Sequence, residues 1–267
     1  EEESKSHLRS SFSSEELSSF VLSYAREIGE TEAKTKIKDV VITVPSFYTQ
    51  SERQSVLDAA AISNLNVLAL VDENVAAAIQ FGVDRTYENE TNVMFYNMGA
   101  VSTQAMIARY SSRLTKRLGS NVTSSVFQVL SKSWDESLGG SFFDMRIANH
   151  MADHFNQLIA KKYPSLKDYD VRKESIRGWS KIKTKASKTK KVLSANEAIP
   201  VYIESVHKDV DLSGYRISRA EFEEMTKDLL SRVAVRSVLA LSVRARSARM
   251  YHSLVEYHFK RSLEYKY

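Results

Sequence analysis

The chain contains no cysteine. Disulfides, thiolate metal sites and cysteine nucleophiles are thereby excluded. The lack of disulfides suits the cytosol and leaves a secretory compartment open. No uninterrupted apolar run approaches the ~18–20 residues that cross a bilayer, so no membrane partner is expected. The start, Glu1-Glu2-Glu3-Ser4, lacks the basic stretch and apolar core of a secretory leader. The expectation is therefore a chain without its own signal peptide. No internal repeat and no nucleophile motif is present.

What is there reads as globular. The 267 residues are 43% hydrophobic and 27% charged, enough apolar material for one large domain or two smaller ones. The net charge of +5 is unevenly placed. From Ala234 to Tyr267 seven basic residues face two acidic ones, which is the whole surplus. A basic chain raises the question of nucleic acid. Here the excess belongs to a divergent basic tail (234–267), and the body is neutral. Six lysines between Lys181 and Lys191 spread round a helix with no aromatic platform between them. They read as a solvated face, so no nucleic-acid partner is expected. His150 and His154 stand one helical turn apart, as metal ligands can. Beyond Asp153 no third ligand is evident, and a structural or surface role is expected, with no metal site.

Taken in order, residues 1–14 are polar and serine-rich and read as a disordered leader. Ser14 with Glu15-Glu16 predicts a helix start. Leu17, Phe20, Val21, Tyr24, Ala25 and Ile28 recur at helical spacing, and Gly29 is the expected stop. Ile37 to Pro45 reads as a buried strand. A helix is expected from Thr49 to Ser63 with Val56, Leu57, Ala60 and Ala61 inward. Leu65–Val71 reads as a second buried strand, and a helix runs from Glu73 to Phe81, ended by Gly82. This alternation predicts an α/β domain. After the polar loop Asn89-Glu90-Thr91, the run Val93–Ala108 predicts strand, tight turn and strand. Its small-residue turn at Gly99 could bring backbone N–H groups close to a phosphate, or be an ordinary hairpin. A further strand is expected around Ser125–Leu130. Helices follow at Phe142–Tyr163 and, unbroken, at Val171–Leu193. Ile199–Val206 reads as a strand. Ser218-Arg219-Ala220-Glu221 predicts a capping box opening a helix through Leu230.

Six segments in this order resemble the nucleotide-binding domain of the seventy-kilodalton heat-shock protein superfamily. They are Val41-Ile42-Thr43-Val44-Pro45-Ser46-Phe47-Tyr48; Leu65-Asn66-Val67-Leu68 through Asp72-Glu73-Asn74 to Gly82-Val83-Asp84; the hairpin; Leu138-Gly139-Gly140 with Phe143-Asp144-Met145-Arg146; Lys190-Lys191-Val192-Leu193-Ser194-Ala195-Asn196; and Arg219-Ala220-Glu221-Phe222-Glu223-Glu224. The resemblance covers roughly residues 15–233. Phe95-Tyr96-Asn97-Met98-Gly99 paired with Leu193-Ser194-Ala195-Asn196 is most similar to the large endoplasmic-reticulum branch, the glucose-regulated, hypoxia-upregulated type, and to a plant-like member of it. Two sequons, Asn89-Glu90-Thr91 and Asn121-Val122-Thr123, fit a secretory compartment.

The resemblance implies a partial actin-like (ribonuclease H-like) ATPase domain in which N-terminal and C-terminal segments of the family's domain are missing. It implies ATP or ADP with magnesium as cofactors. Glu73 matches the family's acid near the metal, while its own position allows a helix-terminal acid favoured by the macrodipole. Gly99, Ala100, Val101 and Ser102 match the phosphate loop, and Gly139 and Gly140 the glycines opposite it. Ser187, Lys190, Lys191 and Ser194 match the adenosine side. Three departures stand out. Asn97 occupies the place of an aspartate that orients water and metal, and an amide can be neither base nor charged ligand. Ala100 and Val101 replace glycines, and a β-carbon there crowds a phosphate. Ser187 replaces a glutamate.

The expected function is that of an ATP-binding, stress-response chaperone assisting folding in the endoplasmic reticulum, with a degenerate ATPase. The missing leader leaves the cytoplasm open as a location. A non-enzymatic module affecting nucleotide exchange on a smaller heat-shock chaperone is the alternative, and a non-functional fragment a third. Unfolded polypeptide clients are expected only if a longer product exists.

Overall fold

The computed structural model describes residues 11–117, 120–207 and 209–233. The leader up to residue 10 and the 234–267 tail lie outside the described residues. The chain divides into two compact units. The first holds residues up to 90 together with 110–127, and the second holds 91–109 and residues from 128 onward.

The first unit begins with α1 (Ser14–Ala33). Its N-cap is Ser13 rather than Ser14, in a reciprocal capping box with Glu16. Gly29 does not stop it. The helix ends at Lys34, which takes the left-handed conformation (φ 53°). A β-carbon on Gly29 would sit 2.9 Å from Ile37 Cδ1, so this glycine makes room for the returning chain. Strand β1 (Asp39–Val44), α2 (Gln50–Ile62), β2 (Asn66–Asp72) and α3 (Glu73–Gly82) follow. The strands β1 and β2 pair in parallel, as the alternation of strand and helix predicts. On α2 the buried residues are Ala59 and Ala60, while Ala61 faces water. Neither strand is wholly buried: Val41 is 58% exposed and Leu68 65%. Helix α1 is tied to the end of α2, where Ser63 Oγ donates to the Ser19 carbonyl (2.9 Å) and Arg26 to the Ser63 carbonyl.

Three strands, β3 (Thr91–Met98), β4 (Thr103–Arg117) and β5 (Ser120–Asp135), form a sheet in that order. Strand β5 is sixteen residues long, more than twice the length expected from its apolar centre alone, because it continues on both sides through segments rich in Ser, Thr and Lys.

The second unit carries the larger core. Helix α4 (Gly140–Lys162) buries Phe143, Ile147, Met151, Phe155 and Ile159. The expected long helix after it is broken. A short α5 (Val171–Glu174) ends at Ser175, which is extended (φ −140°, ψ 90°), and α6 (Ile176–Leu193) starts afresh. Ser175 Oγ caps α6 by accepting from Gly178 N–H (3.0 Å). A β-carbon on Gly178 would lie 2.3 Å from the Val206 carbonyl, so the break and the glycine together let a strand backbone approach the helix.

That strand is β6 (Ala198–His207), antiparallel to β7 (Val210–Ser218). Two bulges interrupt the pairing. One lies between the partners of Val201 and Ile203, where Gly214 has φ 68°, and the other between Ile203 and His207, where Ser205 has φ 46°. Asp211 supports the second by accepting from Ser205 N–H (2.8 Å) and from Tyr202 OH. The capping box at Ser218 and Glu221 opens α7 (Arg219–Met225) as expected. The helix is interrupted at Thr226 and resumes over 227–233, so it does not run through Leu230 unbroken.

Candidate functional site

The hairpin turn between β3 and β4 closes on itself, Gly99 N–H donating to the Ser102 carbonyl (2.9 Å). The two carbonyls at its tip point elsewhere. Gly99 C=O accepts from Gly140 N–H (2.9 Å), and Ala100 C=O accepts from Ser141 N–H (2.8 Å). These are the first amides of α4, which a helix cannot satisfy internally. A phosphate can occupy such a helix start. Here the turn occupies it instead, as a backbone cap supplied from another element.

Gly139 makes this contact possible. It is extended (φ −163°), a conformation open to any residue, so its value lies in its size. A β-carbon at Gly139 would meet Ala100 O at 2.5 Å and Val101 C at 2.6 Å. Gly139 is buried, whereas Ala100 and Val101 are exposed and turn their side chains out.

Two further contacts hold the junction. Thr103, fully buried at the start of β4, donates its hydroxyl to the Leu138 carbonyl (2.6 Å). Asp135, at the end of β5, accepts from Ser137 N–H (3.1 Å) and from Arg232 through Nη2 (2.7 Å) and Nε (3.2 Å). Burial pushes the Asp135 carboxyl up. The Arg232 guanidinium and the Ser137 amide and hydroxyl outweigh this and hold it below the ordinary carboxylate range.

Lys190 reaches the same place from α6. Its ammonium donates to the Gly140 carbonyl (2.8 Å) and pairs with Asp144 (2.7 Å). Both charged groups keep about a quarter of their side-chain surface in water. Ser187, Lys190, Lys191 and Ser194 are spaced i, i+3, i+4 and i+7, which places them along one side of the helix. Ser187 and Lys190 are half-buried, and Lys191 and Ser194 exposed. Ser194 Oγ donates to the Lys191 carbonyl (2.6 Å), ending α6. Arg219 then donates to the carbonyls of Leu193 (3.1 Å) and Ser194 (3.2 Å), and so neutralises the negative end of the helix.

The structure thus brings together Gly99, Ala100, Gly139, Gly140 and Lys190. Asn97 lies on β3 next to the turn with its side chain exposed, and Ser102 is half-buried at the turn's far end. Glu73 belongs to the first unit. It opens α3 directly after Asp72, which caps that helix by accepting from Asn74 and Val75 N–H (2.9 and 3.1 Å) and bonds Ser46.

Of the lysine run, Lys181 departs from a purely solvated face. It donates to the carbonyls of Glu204 and Ser205 (3.0 Å each) and braces the β6 bulge. A shallow groove of about 660 Å³ lies beside it, lined by Arg177, Lys185 and Lys188 among others, on a side of α6 away from Lys190. His150 and His154 both pack edge-on to Tyr215, His150 Nδ1 lying 2.7 Å from its hydroxyl. Among the described residues no group of three or more His, Cys, Asp or Glu side chains could hold a metal ion.

Sequence reasoning assigned no role to Asp144, Thr103 or the Asp135–Arg232 pair. Asp144 carried a usable signal, an acid in the first turns of a helix next to a glycine pair. Arg232 lies 97 residues from Asp135, and no local pattern joins them.

As a phosphate and magnesium site, the junction does not fit in this arrangement. The α4 amides already donate to carbonyls, Lys190 is committed to Asp144, and the position beside the turn is an uncharged amide. The side of α6 bearing Ser187 and Ser194 is not closed off in this way.

Comparison with known proteins identifies relatives along most of the chain. The family model described as "Hsp70 protein" matches residues 2–246. "Heat shock 70 kDa protein 17" of Arabidopsis thaliana is 39% identical over 222 residues, covering 83% of this chain and 25% of that protein. "Hypoxia up-regulated protein 1" of Xenopus tropicalis is 39% identical over 86% of this chain and 35% of its own length. The Homo sapiens protein of the same name is 38% identical over 83% of this chain and 22% of its own. The chain therefore spans between a fifth and about a third of the length of these relatives.

Proposed function

The chain belongs to the Hsp70 protein family, and on that premise we propose that it is the nucleotide-lobe portion of a chaperone of the endoplasmic reticulum, with hydrolysis lost. Its hairpin braces α4 instead of cradling a phosphate. The observation that carries this reading is the pair of bonds from Gly140 and Ser141 N–H to the turn carbonyls. A β- or γ-phosphate would have to displace both, and would meet Asn97 where a charged ligand for its magnesium is needed. Loss of such a charged or preorganised group removes about 2–4 kcal/mol of transition-state stabilisation, a factor of about 10²–10³.

What nucleotide recognition remains comes from the nucleoside side, through Ser187, Lys191 and Ser194, Lys190 being held by Asp144 and the Gly140 carbonyl. Titration calorimetry tests this. Adenosine and ADP are expected to bind within about tenfold of one another, that is within about 1.4 kcal/mol, and without dependence on magnesium. A magnesium-dependent preference for ADP of a hundredfold or more would sink the reading, as would turnover of ATP at the rate of an intact family member. Asn97→Asp combined with Val101→Gly is expected to leave ADP affinity unchanged, because neither substitution frees the α4 amides.

The same pair of bonds favours a second reading, in which this lobe binds no nucleotide and acts as an interaction module on a smaller heat-shock chaperone. No heat with either ligand, together with altered nucleotide release from that partner, would select it. Unfolded clients would require segments outside this chain.

A further inference from the structure

We propose that the groove along α6 and β6 docks an acidic peptide segment of a partner protein, held in extended form. The inference does not depend on whether nucleotide binds. The groove, of about 660 Å³, is lined along α6 from Ile176 to Lys188 and by Ile203 of β6. Arg177, Lys181, Lys185 and Lys188 all line it, because spacings of four, four and three residues keep them on one side of the helix. Among the described residues none of the four is ion-paired with a carboxylate. Arg146, Arg172, Lys190 and Arg232 of the same unit are each paired. Asp211 lies within reach of the Lys181 charge, but it is occupied by Tyr202 OH and Ser205 N–H. Four positive charges thus line one groove without a counter-charge of their own.

Spacing points to the form of the partner. The cations rise along the helix axis by about 6, 6 and 4.5 Å. Alternate side chains of an extended chain stand about 6.6–6.8 Å apart on one face. Carboxylates at every second position therefore keep step with Arg177, Lys181 and Lys185, and the flexible Lys188 stem takes up the remaining few ångströms. Addition of a strand to β6 is not the mode. Pro200 offers no N–H, and Lys181 already donates to the carbonyls of Glu204 and Ser205. One of the three donors on that ammonium is left for a carboxylate. The peptide is gripped by its side chains.

The end of the groove is apolar. Ile176 is 88% exposed, more than any other large hydrophobic side chain among the described residues. It offers the partner an apolar contact beside the first cation. No aromatic side chain lines the groove, so the bases of a single-stranded nucleic acid find no stacking surface there. Charge, spacing and the isoleucine together favour an acidic peptide over a nucleic acid.

The test is fluorescence anisotropy of the full chain at low ionic strength. The probe is a fluorescein-labelled peptide with glutamate at every second position and leucine at one end. Binding should weaken as salt is added. Arg177→Gln and Lys188→Gln, both at exposed positions, should each lower affinity about two- to fivefold. The triple variant with Lys185→Gln should lose about tenfold or more. Lys183→Gln removes the same charge from another side of α6, beside Trp179, and should leave affinity unchanged. A peptide of the same composition with its glutamates in one block should bind about threefold more weakly, as should a single-stranded oligonucleotide of equal charge. Should the triple variant fail to fold, the two single variants carry the test. No binding at low salt would overturn the inference. So would an equal loss with Lys183→Gln, which would mean attraction by net charge alone. Equal or tighter binding of the block peptide or of the oligonucleotide would overturn it as well.

Discussion

Phe155 of α4 and Phe20 of α1 occupy helices of 23 and 20 residues, and both belong to apolar stripes at helical spacing. Phe155 is wholly buried, while Phe20 keeps 54% of its surface exposed. The difference extends along both helices. Ile147, Met151 and Ile159 are fully buried with Phe155 against α6, β6 and β7. Leu17, Val21, Tyr24 and Ile28 stay half or more exposed with Phe20, and among the described residues of the first unit only α2 shares an extensive contact with α1. An amphipathic stripe specifies that a helix forms and which face it offers. Whether that face is covered depends on another element, and burial rather than periodicity sets its energetic weight.

The sharpest way to break this comparison is to truncate one residue in each unit. Phe155→Ala should cost about 3–5 kcal/mol, the range for an aromatic removed from a closed core. It should be read in denaturant unfolding followed by the fluorescence of Trp179, which packs against that core. A cost under 1 kcal/mol would mean the second unit is no better packed than the first.

Arg232→Met comes next. It leaves Asp135, whose side chain is only 5% exposed, without its guanidinium. Roughly 2–3 kcal/mol is expected, below the ~3–5 for a wholly buried pair because Arg232 keeps 38% of its side chain in water. The folded Asp135 carboxyl titrates below its unfolded value. Its contribution is therefore complete above pH ~4 and is lost as the pH falls through the folded value. The variant should lose this acid-side slope, which unfolding midpoints between pH 5 and pH 2 would reveal.

Ser13→Ala removes the cap of α1 and should cost about 1 kcal/mol, seen as faster hydrogen exchange in the first turns of that helix. The smallest effect on stability is expected from Phe20→Ala, within about 0.5 kcal/mol. Its visible consequence should be lower self-association in sedimentation, since it shrinks an exposed apolar face. A destabilisation of 2 kcal/mol or more would show that α1 is covered after all.

Much of this fold was legible in the sequence where one signal acted alone. The alternation of β1, α2, β2 and α3, the hairpin at Gly99, α4 to within two residues of its start and the capping box at Ser218 each followed from local pattern. Strand β7 was missed because its alternation changes phase: Val210 and Leu212 point inward, then Tyr215 and Ile217, with the bulge at Gly214 between them. The break at Ser175 was missed because helical periodicity continues across it, and only the approach of the β6 backbone to Gly178 requires it. In the site, the residues were legible by resemblance, but their engagement was not. Nothing local says that the turn carbonyls of Gly99 and Ala100 occupy the amides of α4, or that Asp144 holds Lys190.

The contact between the hairpin and α4 is made by main-chain atoms on both sides. The turn therefore offers selection almost nothing to read at Ala100 and Val101, whose side chains face outward, and those positions are free to drift. Gly139, which contributes no side chain at all, is the position that cannot change. In this junction sequence constraint and chemical role have parted company. The most restricted residue is the one with no functional group, and a search for the site by its chemistry would pass over the residue that holds it together.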